Sequence, residues 1–411
     1  MSTPLEQIKP ATSGQPLAGV VLLGGAHGAL AMARNFGRQG IPVVLVSNDH
    51  PLPKWSRYLL SQFEWAGAEA PEAAEWLLKL AERHGYLDWL LLPCGDSEVK
   101  LVASAHQLLR GSFRLLSSEW DRLSALCDKQ MLAASAANVG VAVPKNYRVR
   151  SASEAASVDI VFPVVLKPAM RLAWNAFTQA KAWRADTRGE FIARYRDAAE
   201  LVGDENVVVQ ELIPGGGDAQ FSYVALWHKG APVAEMTARR TRQYPLEFSY
   251  TSTFVETIAR ADVEQAACRF LHSLSYDGLV EAEFKYDARD RRLKLLDVNA
   301  RAWTWIALGG RAGVDFPHLL WRLAMGESLP HMRGAPGVGW MHASRDIVAA
   351  YQEMAAGHLA PRDYLASLRR PLQFAAFAAD DPLPGMLDVP LSLARLFTKR
   401  MPAALHRSSL P

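Results

Sequence analysis

Glu281-Ala282-Glu283-Phe284-Lys285 and, shortly after it, Leu295-Leu296-Asp297-Val298-Asn299-Ala300-Arg301 alternate polar with apolar side chains. Successive side chains on a strand point to opposite faces, so Glu281, Glu283 and Lys285 share one face of the first segment. Asp297, Asn299 and Arg301 share one face of the second. The polar turn Asp287-Ala288-Arg289-Asp290-Arg291 lies between them and predicts an antiparallel hairpin. One face then presents carboxylates, a carboxamide oxygen and a guanidinium together. Magnesium takes oxygen ligands of this kind, and Arg adds bidentate contacts to phosphate. A solvated hairpin face shows the same alternation, so the hairpin alone leaves both readings open.

Two lysines upstream extend the pattern. Lys167 ends the apolar run Phe162-Pro163-Val164-Val165-Leu166-Lys167-Pro168, and Lys129 follows Asp128 in a helix predicted over 118–138. Either alone reads as a surface lysine whose stem covers apolar neighbours. With the hairpin they form a set: ammonium groups for phosphates, carboxylates for the counter-cations. An unpaired buried charge is costly, so cations and anionic oxygens must alternate in a nucleotide site. A further strand is predicted over 207–211 and is closed by Pro214-Gly215-Gly216-Gly217. Strands at 222–227, 234–241, 280–286 and 294–298, with helices at 263–274 and 317–325, make this part sheet-rich.

The N-terminal part alternates strand and helix. Val20-Val21-Leu22-Leu23 suits a buried parallel strand, Gly24-Gly25-Ala26-His27-Gly28 a turn, and Ala29 to Gln39 a helix. A second strand at 42–46, a helix at 72–84 and a strand at 89–92 predict a doubly wound sheet. The GGxxG spacing, with Asp49 after the second strand, is a weak signal for a nicotinamide-dependent oxidoreductase. That reading leaves the lysines and the acidic hairpin unexplained.

Composition is ordinary for a globular chain: of 411 residues, 50% are hydrophobic and 21% charged, with a formal net charge of +3. No basic tract forms an electrostatic footprint for nucleic acid. The three cysteines, Cys94, Cys127 and Cys268, lie far apart and lack a CxxC pair. Reduced thiols in a cytoplasmic compartment are expected. Met1 to Leu17 is polar and lacks an apolar signal core, and no run of about 18 apolar residues predicts a spanning helix.

The order of these motifs resembles the ATP-grasp superfamily, specifically its carboxylate–amine ligases, over roughly Val20 to Gly326. They are Asp128-Lys129, Val165-Leu166-Lys167-Pro168, Val209-Gln210-Glu211-Leu212-Ile213-Pro214-Gly215, Glu283, and Asp297-Val298-Asn299-Ala300-Arg301. The resemblance implies an α/β chain, α+β in its central part. It divides into a Rossmann-like pre-ATP-grasp domain at 1–116, an ATP-grasp domain at 117–329 with a mobile lid subdomain at about 144–208, and a C-terminal extension at 330–411. It further implies ATP and magnesium, with manganese as a substitute. Lys129 and Lys167 would contact the α and β phosphates. Gln210, Glu211 and Ile213 would line the adenine, with backbone groups of Glu211 and Ile213 reading its edge. Asp218 would serve the ribose hydroxyls. Glu283, Asp297 and Asn299 would hold the metal, and Arg301 would stabilise phosphate or acyl phosphate. Arg240 and Arg242, expected on one strand face, would bring cations to the γ phosphate.

Two departures stand out. Asp297 occupies a position where the family usually has Glu. The chain also has Ala169-Met170-Arg171-Leu172-Ala173-Trp174-Asn175 where the family often has a glycine-rich loop. These keep open a non-catalytic nucleotide-binding protein on the same frame. Otherwise the implied reaction activates a small-molecule carboxylate with ATP and lets an amine displace the phosphate. It releases ADP and needs positioning and electrostatics rather than a nucleophilic Ser or Cys. The stretch Arg242 to Thr253 suits an acceptor pocket or a packed loop, and Cys94 to Glu98 suits a loop reaching the cleft from the first domain. The amphipathic stretch Leu391 to Arg400 in the tail suits packing, a homodimer contact or a membrane surface.

Overall fold

The computed structural model describes residues 18–48, 51–169, 175–180, 182–245 and 251–395. The run Val20–Leu23 is fully buried and forms the middle of a five-stranded parallel sheet. The strands stand in the order Ser61–Phe63, Val43–Val46, Val20–Leu23, Trp89–Pro93 and Phe113–Arg114. The helices His27–Arg38, Ala73–His84 and Asp96–Ser104 belong to the same unit, as the alternating pattern predicts. Gly24 takes φ +85° between the first strand and its helix, a conformation that strains any residue with a Cβ.

The larger sheet has eight strands and is mostly antiparallel. Its main path runs Arg292–Asn299, Gly278–Asp287, Gln220–His228, Ala231–Tyr244, Thr251–Ile258, Gly339–Met341 and Leu372–Phe374. Gln220–His228 is buried almost throughout, and its alternate residues face two cores. Tyr223, Ala225 and Trp227 pack with Val263, Ala267 and Phe270 of the helix Ala261–Ser273. Val224 and Leu226 pack with Trp303, Trp305 and Phe316, and through them with Leu22, Met32 and Phe36 of the first sheet and its helix. One continuous core therefore fixes the two sheets against each other. Each fully buried Leu, Val or Phe stabilises it by roughly 1.5–3 kcal/mol.

A third, four-stranded antiparallel sheet carries Asn146–Tyr147, Val207–Glu211, Val164–Pro168 and Trp183–Ala185 in that order. The helix Arg188–Val202 covers it with Phe191, Tyr195 and Ala198, starting at a Thr187 cap and ending at Gly203. This sheet coincides closely with the segment expected as the lid.

Several expectations need correction. The helix predicted over 118–138 is two helices, Trp120–Cys127 and Lys129–Asn138. Asp128 is the break: its carboxylate accepts from the backbone N–H groups of Gln130 and Met131 as an N-cap, which places Lys129 at the start of a helix rather than in the middle of one. The segment after Pro330 is no appendage. Its short strands Met332–Arg333, Gly339–Met341 and Leu372–Phe374 complete the large sheet. Its last described helix, Pro382–Arg395, packs Leu391 near Leu30 and Leu52. Met1 to Leu17, Asp49 and the end of the amphipathic stretch at 396–400 lie outside the described residues. No helix among the described residues is long and apolar enough to cross a membrane.

Candidate active site

A cleft of about 500 Å³ opens between the four-stranded sheet and the acidic hairpin. Its volume lies in the range that holds a small ligand or cofactor. Lys129, Lys167, Glu211, Ile213, Glu283 and Asp297, all expected from the sequence, line it together. Pro163, Val165, Leu212 and Leu296 supply apolar wall, and two polar groups join it: Lys285, from the polar face of the hairpin, and Gln243, from the stretch read as an acceptor pocket or packed loop.

The hairpin forms as its alternation predicts, with Glu281 opposite Asn299 and Glu283 opposite Asp297. A bulge follows, so that Phe284 pairs with Leu295 and Leu296 is the extra residue. Directly opposed side chains on one sheet face are neighbours, and here they interlock. Asn299 donates its Nδ2 to Glu281 Oε2 at 3.2 Å and to Glu283 Oε1 at 3.3 Å. Arg240 donates to Glu283 Oε2 at 2.5 Å and to Ser252 Oγ at 2.6 Å. Lys129 Nζ stands 3.7 Å from Asp297 Oδ1.

Glu281 is the residue here that sequence reading left without a role. Ser222 Oγ donates to it at 3.1 Å, yet burial, followed by the nearby Glu283 charge, pushes its carboxyl up to about 7. Burial would lower the Arg240 pKa, but Glu283 and Glu281 outweigh that and raise it. Burial also pushes the Cys127 thiol up to about 12, with Asp96 and Asp297 adding to it. The site therefore concentrates negative charge in a place that disfavours it. That environment, and the oxygens of Glu283, Asp297 and Asn299, suit a hard divalent cation.

Arg301 lies beside this cluster. It donates Nε to Asp96 Oδ1 at 2.5 Å and a terminal nitrogen to Asn299 Oδ1 at 3.4 Å. Asp96 opens a helix of the first sheet's unit and meets the end of the hairpin through Arg301, but none of Cys94 to Glu98 lines the cleft.

On the opposite wall, Lys167 donates to Gln210 Oε1 at 3.0 Å, and Gln210 is buried. The Glu211 carboxylate accepts from Lys294 at 2.8 Å, from the Lys145 backbone at 2.9 Å and from Arg289 at 2.8 Å. Burial alone would raise it, but those donors hold it below its ordinary value. Its own N–H donates to the Lys145 carbonyl at 2.9 Å. Asp218 is exposed on the turn Gly217–Ala219 and does not line the cleft.

Arg242 is a correction. It does not share a face with Arg240, because the register shifts between Arg239 and Arg242 and again before Gln243. A slip of one residue sends a side chain to the other face. Arg242 instead makes a bidentate pair with Asp346, at 2.9 and 2.8 Å, and both side chains are buried. Residues 170–174 of the loop after Lys167, and 246–250 of the acceptor stretch, lie outside the described residues.

The glycine turn offers little room for a dinucleotide. A Cβ at Gly28 would lie 3.1 Å from the Trp303 carbonyl oxygen, and His27 is bonded to Asp388 at 3.1 Å. The chain itself covers the helix start where a pyrophosphate would lie.

No family model matches the chain. It is 25% identical over 309 residues to the D-aspartate ligase of Enterococcus faecium (strain Aus0004), covering 68% of this chain and 70% of that one. The biotin carboxylase domain of the Hydrogenobacter thermophilus 2-oxoglutarate carboxylase, solved with MgADP and bicarbonate, superposes with a TM-score of 0.62. That match has 15% identity and covers 79% of this chain and 74% of that one. The L-amino acid ligase of Bacillus licheniformis gives a TM-score of 0.58 at 14% identity, covering 76% and 75%. At these identities the structural likeness is one of fold.

Proposed function

We propose that this chain, whose fold is that of the ATP-grasp enzymes, is an ATP-dependent ligase that activates a carboxylate as an acyl phosphate and joins it to an amine. The observation that carries this is the cleft, a space of nucleotide size lined together by Lys129, Lys167, Glu283 and Asp297, with Lys129 paired to Asp297. Lys129 and Lys167 neutralise the α and β phosphates. Val165, Leu212 and Ile213 form the apolar wall for the adenine. The Glu211 N–H is taken by Lys145, so the adenine edge is read by the Glu211 carbonyl and the Ile213 N–H. Gln210 sits behind this wall and orients Lys167 through its hydrogen bond.

Glu283, Asp297 and Asn299 would hold magnesium, or manganese in its place, which would supply positive charge against that of the phosphates. Arg240 and Arg301 stabilise the oxygens of the transferring phosphoryl and the acyl phosphate. Asp96 aims Arg301. Asp218, on its exposed turn, would reach a ribose only at the rim of the cleft. The four-stranded sheet acts as a lid that excludes water from the acyl phosphate.

The Enterococcus relative is a D-aspartate ligase and the Bacillus neighbour an L-amino acid ligase by name. An amino acid is accordingly the carboxylate class to try first. The test is ADP release from ATP across D- and L-amino acids and simple carboxylates, with hydroxylamine present to trap acyl phosphate. Hydroxamate should form with one acid class and ADP release should depend on it. A broad panel with no carboxylate-dependent trapping would overturn the proposal.

A further inference from the structure

Three buried side chains from distant parts of the chain meet at a point that is not part of the cleft lining. His27 begins the first helix, His342 follows the strand Gly339–Met341, and Asp388 lies in the helix Pro382–Arg395. His27 Nε2 is 3.1 Å from Asp388 Oδ1, and His342 Nε2 is 3.6 Å from Asp388 Oδ2. The three donor atoms lie within 4.8 Å of one another.

His342 Nε2 is fully enclosed and has no hydrogen-bond partner among the described residues. Its other ring nitrogen is held by Ser344 Oγ at 3.2 Å, which keeps Nε2 turned toward the carboxylate. A ring fixed through one nitrogen, with the other aimed at a second imidazole and a carboxylate, is how proteins present a metal ligand.

We propose that His27, His342 and Asp388 bind one divalent transition-metal ion, through the two Nε2 atoms and a carboxylate oxygen. Imidazole nitrogens select against magnesium and calcium and suit zinc. Tetrahedral zinc places neighbouring donors about 3.3 Å apart, close to the 3.1 and 3.6 Å separations found here. The ion would tie the glycine turn, the large sheet and the last described helix together. Because its ligands meet only in the folded chain, it binds the native state and stabilises it by mass action. This site stands whether or not the ligase reading does.

The experiment uses the full chain, loaded with zinc in an excess of magnesium so that the acidic hairpin is occupied. The protein is then desalted, and metal content and thermal midpoint are measured. About one zinc per chain is expected, with a raised Tm. Asp388→Asn and His342→Gln should each lower retained zinc at least about tenfold and abolish the Tm rise. Should those variants fold poorly, the wild-type zinc X-ray absorption spectrum decides, with two imidazole nitrogens expected in the coordination shell. Wild-type protein that retains no zinc, variants that retain it undiminished, or a spectrum without two imidazoles would each overturn the proposal.

Discussion

Arg301 donates Nε to Asp96 Oδ1 at 2.5 Å, which joins the end of the acidic hairpin to the first turn of a helix in the parallel-sheet unit. The guanidinium is thus aimed from one unit while its backbone belongs to the other. Asp96→Asn removes the charge and keeps the size. It should lower kcat roughly tenfold and leave the thermal midpoint little changed, whereas Arg301→Ala should cost about a hundredfold or more. Steady-state kinetics beside circular dichroism check this, and equal losses in the two variants would remove the positioning role from Asp96.

Glu283 and Asn299 face each other's strands and share a hydrogen bond at 3.3 Å. Glu283→Gln and Asn299→Ala should each reduce turnover at least about a hundredfold with folding intact. Activity surviving both changes would take these residues out of the metal site. Glu281→Gln is expected to retain the hydrogen bond from Ser222 and to weaken magnesium binding, read as a higher magnesium concentration for half-maximal rate.

Arg242 and Asp346 form a buried bidentate pair, and Arg242 also stacks over Phe254 and Tyr364 at 4.1 and 4.9 Å. Breaking it from one side leaves an uncompensated buried charge, so Asp346→Asn should destabilise by about 3–5 kcal/mol. The double variant Arg242→Met/Asp346→Leu should recover much of that, as measured by urea unfolding. A double variant as unstable as the single one would contradict a simple charge-pair account.

Asp287 is fully buried, and hydrogen bonds from Arg289 and then Lys294 hold its carboxyl well below its ordinary value of 3.8. A depressed carboxylate contributes stability that is fully present above its unfolded pKa and is lost as pH falls through the folded one. Asp287→Asn should therefore cost about 1–3 kcal/mol near neutrality. The deficit should shrink as pH falls below about 4. Unfolding curves for both proteins across that range test the sign, and a deficit that grew on acidification would refute it.

What the sequence made legible was whatever rests on local pattern. The run 20–23 and the run 207–211 are strands because short aliphatic stretches between turn residues have few alternatives. The hairpin was readable because two alternating segments flank a polar turn. Longer-range facts were not. The bulges after Arg239 decide where Arg242 points, and no residue type announces them. The strands at 332–333, 339–341 and 372–374 are too short to show a period and exist only because the large sheet offers edges to pair with. Glu281 matters because three elements bury it, and His27 read as part of a glycine turn until its distant partners were in place. Asp128 was legible in principle, since Asp before a helix is a common cap, but the apolar period ran through it unbroken.

The return of the C-terminal segment to the start of the chain has a consequence for synthesis. Asp381 accepts from Arg34 and Ser56, and Asp380 from Arg38 and Tyr58. While the ribosome is still making residues 331–374, the strand Thr251–Ile258 has an open edge and the first helix carries arginines without their acids. The nascent protein is most exposed to mispairing in that interval. A stop codon near Pro330 would make the interval permanent, leaving a chain that holds the residues of the cleft but accumulates as aggregate rather than as a smaller enzyme.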